Sequence, residues 1–192
     1  MAQPHPPVPV KYFVAVLFSI DRDLERARAE IVKNWGVIDI EGADHPFDVT
    51  DYYEPEMGRT LYRRILSLET IATPSLLVSV KITCNRIEQA LAGEGRRVVN
   101  LDAGYLDHNK VLLASAKEAG QKVYLDQGIY ADLAGRYKAG RYQPFEWSFP
   151  DFRDGRYDEE LLAIRARYLD QLRHWRKSAP ESDFLGGDEV MR

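Results

Sequence analysis

The sequence predicts an α+β fold: a mixed, largely antiparallel sheet with a ferredoxin-like β-α-β-β core, extended by a β-meander and packed by three amphipathic helices. Three observations carry this. Residues 11–19 (KYFVAVLFS) form a near-continuous apolar run, as a strand buried on both faces requires. Three other stretches repeat apolar residues every three or four positions, the pattern of a helix with one buried stripe. From Arg97 onward, short β-type segments alternate with Gly, Asp and Asn, the residues of turns.

Taken in order, the first strand is followed by Asp21, placed to cap a helix through its carboxylate. In that helix Leu24, Ala27 and Ile31 share a face, opposite Arg22, Glu25, Arg26 and Glu30. A short strand runs from Gly36 to Ile40, and residues 41–46 (EGADHP) are turn chemistry. A further strand is expected at Phe47–Tyr53, then an acidic elbow at residues 54–58, then a strand at Leu61–Glu69. The second helix has Thr73 as N-cap and Pro74 at its first position, where a missing N–H costs nothing. Leu77, Val80, Cys84, Ile87 and Leu91 follow at helical spacing, and Gly93 is read as its left-handed stop. Strands are expected at 97–101, 110–116, 121–125 and 129–137, with a hairpin tip at Lys138-Ala139-Gly140 and a return strand from Tyr142 to Phe149. Leu161, Ile164, Tyr168, Leu172 and Trp175 mark the last helix.

The 192 residues suit one domain, read as 11–177, with an extended Pro-rich leader at 1–10 and a polar, disordered tail at 178–192. A chain of this length buries enough surface to fold without disulfides or a structural metal. Cys84 is the single cysteine, which excludes an internal disulfide and points to a reducing, cytoplasmic setting. No window approaches the ~18 uninterrupted apolar residues of a membrane span. A formal charge of −4 argues against a nucleic-acid coat, although Arg136, Tyr137, Lys138, Arg141 and Tyr142 put cations among aromatic rings on one hairpin. Such cations equally protect a sheet edge.

Three constellations could carry chemistry. In the tract NLDAGY, Asn100 and Asp102 fall on one side of a strand near its end, with Gly104 allowing a turn or close approach and Tyr105 adding a phenol. With Lys117 from the next strand, these residues would present a polar pocket to a small molecule or nucleotide. The alternative is an Asx-turn shaping a β connection. The second group is acidic: Asp48, Asp51, Glu54 and Glu56, with Thr50, Tyr52 and Tyr53. Its oxygens could take Mg²⁺ or Ca²⁺, but one strand would point them to both faces, and Arg59, Arg63 and Arg64 offer ordinary ion pairs instead. Third, Tyr124, Asp126 and Tyr130 surround a Gln127-Gly128 turn or bulge and could extend the first pocket. The four histidines are scattered, none at metal-ligand spacing, and His108 is read as a turn residue whose best role is a general base near Asp102. No cofactor is specified.

Five tracts carry a likeness that spans nearly the whole chain: PVKYFVAVLFS near the start, FDVTDYYEPEMG (47–58), VNLDAGYLDHNKVLLASAK (99–117), KVYLDQGIYADLAGRY (122–137) and FPDFRDGRY (149–157). They resemble the bacterial and archaeal proteins of domain of unknown function family 4416. The resemblance implies kinship and no particular activity; the chain lacks the G-x-x-x-x-G-K-[ST] loop that cradles nucleotide phosphates. Two functions are expected from different classes. One is the binding of a small ligand or nucleotide in a polar pocket near Asn100–Tyr105; the other is a non-catalytic protein- or RNA-interaction module.

Overall fold

The computed structural model describes residues 3–178; the expected tail, apart from Ser178, lies outside them. Strands β1 (Val10–Phe18), β2 (Ile38–Glu41), β3 (His45–Pro46), β4 (Tyr62–Ala72), β5 (Val99–Leu106), β6 (Lys110–Ser115), β7 (Val123–Asp126), β8 (Ile129–Lys138) and β9 (Arg141–Pro144) form one open sheet. Its order is β2-β4-β1-β5-β6-β8-β7, with β3 on β4 and β9 on β8. The long helices are α1 (Asp21–Trp35), α3 (Leu77–Leu91) and α5 (Asp158–Ser178); α2 (Glu54–Met57) and α4 (Pro150–Arg153) are single turns.

Every strand pair is antiparallel. Because β4 and β5 both run against β1, they are parallel to each other with β1 between them. In the same way β1 and β2 flank β4. These are two interlocked split β-α-β units, the ferredoxin-like half, whose crossovers α1 and α3 share one face. The remaining strands continue the sheet as a meander beyond β5.

β1 explains the continuous apolar run. Tyr12, Val14, Val16 and Phe18 face α1 and α3, whereas Phe13 and Ala15 face α5, so alternate residues enter two cores. Leu17 anchors a third, smaller cluster with Phe47, Met57 and Leu61 beneath the 47–61 loop. In α3, Leu77, Val80, Cys84, Ile87 and Leu91 are all buried, each aliphatic contributing ~1.5–3 kcal/mol before entropy.

Several local expectations change. No strand forms at 47–53: Pro46 ends β3 after two residues, and the Thr50 Oγ1 accepts from the Tyr52 N–H in a turn that leads into α2. The α1 N-cap is Ile20 with no side-chain cap, Asp21 and Asp23 instead lying in the first turn where the helix dipole favours them. Pro74 opens a one-turn 3₁₀ segment before α3, and after Leu91 the left-handed residues are Glu94 and Gly95 rather than Gly93. β9 stops at Pro144, which has no N–H to continue a ladder. NLDAGY is wholly strand; the Asx-turn lies further on, where Asp107 Oδ1 accepts from the N–H groups of Asn109 and Lys110.

Candidate functional site

The sheet divides at its centre. β5 and β6 pair only at Leu106–Val111, Tyr105–Leu112 and Gly104–Leu113. At the last rung, Gly104 has no room for a side chain: a Cβ would sit 2.6 Å from the Leu112 carbonyl oxygen and 2.8 Å from the Phe13 ring. Beyond it, residues 99–103 of β5 have no partner strand on that side among the described residues, and buried backbone groups must find other bonds. α3 supplies them. Lys81 Nζ donates to the Leu101 carbonyl at 2.8 Å, and the Leu101 N–H donates to Glu88 Oε1 at 2.7 Å. Burial pushes the Glu88 carboxyl above its ordinary value, against the pull of Lys81.

Asp102 projects from the opposite, α5-side face. Its Oδ2 accepts from Arg63 Nη2 at 3.1 Å, while Lys81, reaching through the split from the other face, stands 3.8 Å from Oδ1. The Asp102 side chain remains 24% exposed. Arg63 is buried and also donates to the fully buried Asp151, whose Oδ2 accepts from the Tyr157 hydroxyl at 2.8 Å. Burial opposes the charge on Arg63, but Asp102 and Asp151 outweigh it and hold the guanidinium charged. Its face lies 4.5 Å from the Phe47 ring centroid. Next along β5, Asn100 Oδ1 accepts from Arg97 Nη1 at 2.8 Å, and Arg97 Nε donates to Glu56 Oε2 at 2.9 Å, tying α2 to the strand. Among the described residues, the Asn100 Nδ2, Arg63 Nε and Asp151 Oδ1 are buried without a partner.

Across the split, continuing the β5–β6 register sets Ser115 opposite Asp102, and Tyr130 of β8 pairs with Ser115. Lys122 Nζ donates to Ser115 Oγ at 2.9 Å and lies 3.6 Å from the buried Asp132, whose carboxyl is raised by burial. Lys117 stands at the rim, its Nζ 4.0 Å from the Tyr52 ring centroid, so the 47–61 loop closes over one end of the split.

Of the residues expected in a pocket, Asn100 and Asp102 therefore share the split with Lys117 at its rim, and Tyr130 lies on the same sheet face. Tyr105 does not join them. Three residues from Asp102, it points to the other face and packs edge-on against Tyr12 at 5.8 Å. Asp126 is exposed and accepts from the Gln127 N–H in the β7–β8 turn. Asp51 and Glu54 line a neighbouring open cleft of about 510 Å³ with Phe47, Arg59 and Tyr62; Glu54 lies 3.5 Å from Arg59. His108 sits beyond the far end of β5, its carbonyl held by Arg165, so it is no base for Asp102. The hairpin tyrosines turn inward: Tyr142 is buried with its hydroxyl on the Asp107 carbonyl, and Tyr137 lies under Arg165 at 3.5 Å. Among the described residues no three His, Cys, Asp or Glu side chains gather as a metal site.

Sequence reasoning missed Arg63, Lys81, Glu88, Arg97 and Asp151. Two of them carried a signal. Lys81 and Glu88 stand on the apolar stripe of α3, four residues after Leu77 and Cys84, where charge has no reason to be unless it is used.

The family model described as Domain of unknown function (DUF4416) matches residues 8–168. The chain belongs to this family. The matched span contains every residue of the Arg63–Asp102–Asp151 cluster and both walls of the split, so the site is part of the DUF4416 domain itself. No curated protein and no solved structure matches the chain. Among the described residues of this DUF4416 domain, no helix is long and apolar enough to cross a membrane.

Proposed function

We propose that this DUF4416 domain binds a small polar ligand, with nucleotides and sugar phosphates as the leading class, in the split between β5 and β6. The observation that supports it is Asp102: a partly open carboxylate fixed between Arg63 and Lys81 where the sheet parts. Its carboxylate oxygens can accept bonds from a ligand's hydroxyl or amine groups. Lys117 at the rim offers a cation for an anionic group, and Asn100 Nδ2 retains a free donor. Nothing in the cluster is arranged as an activated nucleophile, so binding is the reading rather than a named reaction. The lone Cys84 supports a cytoplasmic setting: it is buried on α3 and its thiol is pushed up to about 12, which makes it inert as a nucleophile.

Thermal-shift screening against nucleotides, nucleosides and sugar phosphates tests this. A binder at a hundredfold excess over its Kd should stabilise the wild type by ~2.7 kcal/mol. Asp102→Asn should keep the ligand-free melting temperature within a few degrees and lose the shift. A ligand that stabilises Asp102→Asn equally, or a panel with no binder, would sink the proposal.

A further inference from the structure

The β8–β9 hairpin and its neighbour β6 carry positive charge that the fold does not use. Arg136 stands directly opposite Lys110 of β6, and Lys138 directly opposite Arg141 of β9. Like charges in such positions destabilise a sheet. Tyr137 and Tyr142 turn to the α5 side, so strand alternation sets all four cations on the other face. Lys110 has an acid, Asp107. Arg136, Lys138 and Arg141 are exposed, and among the described residues no carboxylate pairs with any of them. Edge protection does not account for the set: Arg136 sits where β8 is flanked by both β6 and β9, and so guards no open edge. The α5 side adds to the positive field. Arg165 lies over the Tyr137 ring at 3.5 Å, and burial, then the charges of Arg165 and Arg176, hold the His108 imidazole below its ordinary value.

We infer that this corner of the sheet binds the phosphate backbone of a nucleic acid. Strands ~4.8 Å apart and a two-residue rise of ~6.7 Å gather the four cations into one dense patch. Phosphates lying on it relieve the repulsion between them. A nucleic-acid backbone repeats its negative charge at every residue, as cations this close together require, whereas a protein surface ordinarily intersperses both signs. A lipid surface fits less well, because among the described residues none of the exposed large apolar side chains lies on this hairpin or on α5 to enter a bilayer. Tyr142 is buried and Tyr137 lies under Arg165, so neither ring is free to stack on a base. The contact is therefore electrostatic and indifferent to sequence. The patch stands at the opposite end of β6 from Ser115, and the Asp102 split is not part of it.

Fluorescence anisotropy of a labelled oligouridylate titrated with the full chain tests it. Neutralising about three phosphates gives a slope of log K against log salt of about −2, so affinity should fall about 20-fold between ~50 and ~200 mM salt. Arg136→Gln/Lys138→Gln/Arg141→Gln should lose roughly tenfold or more in affinity at the lower salt, with unchanged circular dichroism. Arg141→Glu distinguishes lost contact from lost folding. It turns a repelling cross-strand pair into an attracting one, so its melting temperature without nucleic acid should rise while its affinity falls. No binding at the lower salt overturns the inference, as does wild-type affinity in the triple variant or in Arg141→Glu. Equally tight binding to phosphatidylserine vesicles or to polyglutamate overturns it too, since the surface would then take any anion.

Discussion

Arg63 occupies a position where the alternation of β4 would otherwise place an apolar side chain, between Leu61 and Ile65 on the same face. Its charge is tolerated because two carboxylates reach it, one from β5 and one from α4. Removing one member of a buried ion pair is costlier than removing both, since the survivor stays desolvated and unpaired. Arg63→Met should therefore cost ~3–5 kcal/mol in urea denaturation, leaving Asp151 buried with only Tyr157. Arg63→Met/Asp151→Leu should recover most of that loss; a double variant no better than the single would show that the pair is not coupled. The two halves of the site differ in how far the sequence discloses them. Lys81 and Glu88 interrupt a readable stripe on one helix, whereas Arg63 and Asp151 lie 88 residues apart and nothing local to either names the other.

Elements were legible where one physical cause dominated. The stripe of α3 and the two-sided burial of β1 follow from periodicity alone, and both hairpin tips follow from their residues: Gln127-Gly128 and Ala139-Gly140 have positive φ throughout, at 49°, 75°, 53° and 83°. NLDAGY was harder, because Asn, Asp and Gly have turn chemistry while their neighbours fill a sheet. Pairing with the whole of β1 decided it for strand, and this carries Asn100 and Asp102 to the start of β5 instead of its end. The 47–53 segment went the other way, since Pro46 and Pro55 bracket it and Phe47 is buried against Leu17 instead of joining a ladder. The β8–β9 turn also contains a residue poorly matched to its backbone. Ala139 holds a left-handed conformation that costs an L-residue roughly 1–2 kcal/mol, and Asn-Gly is the preferred pair for such a turn. Ala139→Asn should raise stability by ~0.5–1 kcal/mol, read as a melting temperature higher by about 1–4 °C. An unchanged or lower value would mean that the alanine contributes something beyond turn geometry.

At the scale of the molecule, the order of helices and strands was enough to indicate two split β-α-β units, but not the gap that follows them. That gap depends on where β5 and β6 stop pairing, a long-range outcome of Gly104, of the 47–61 loop and of α3 filling the vacancy with side chains. The same architecture makes a claim about cooperativity. One core lies under α1 and α3, the other under α5, and at 192 residues the two could melt apart. β1 argues against it, because its alternate residues belong to both cores and the strand cannot be lost from one alone. The α5 layer is further pinned to the sheet by polar bonds: Lys11 donates to Gln171 at 2.9 Å, Arg167 donates to Asp39 of β2 at 3.2 Å, and the Tyr168 hydroxyl donates to the Pro9 carbonyl at 3.0 Å. Trp35 packs against the first core and Trp175 against the second, so each can report its own side. Variants retaining either tryptophan, with the other two changed to Phe, should give urea midpoints that coincide with each other and with the loss of far-ultraviolet circular dichroism. An earlier midpoint for Trp175 would mean that α5 separates first, and that the ties from Lys11 and Tyr168 are too weak to couple the two faces through their shared strand.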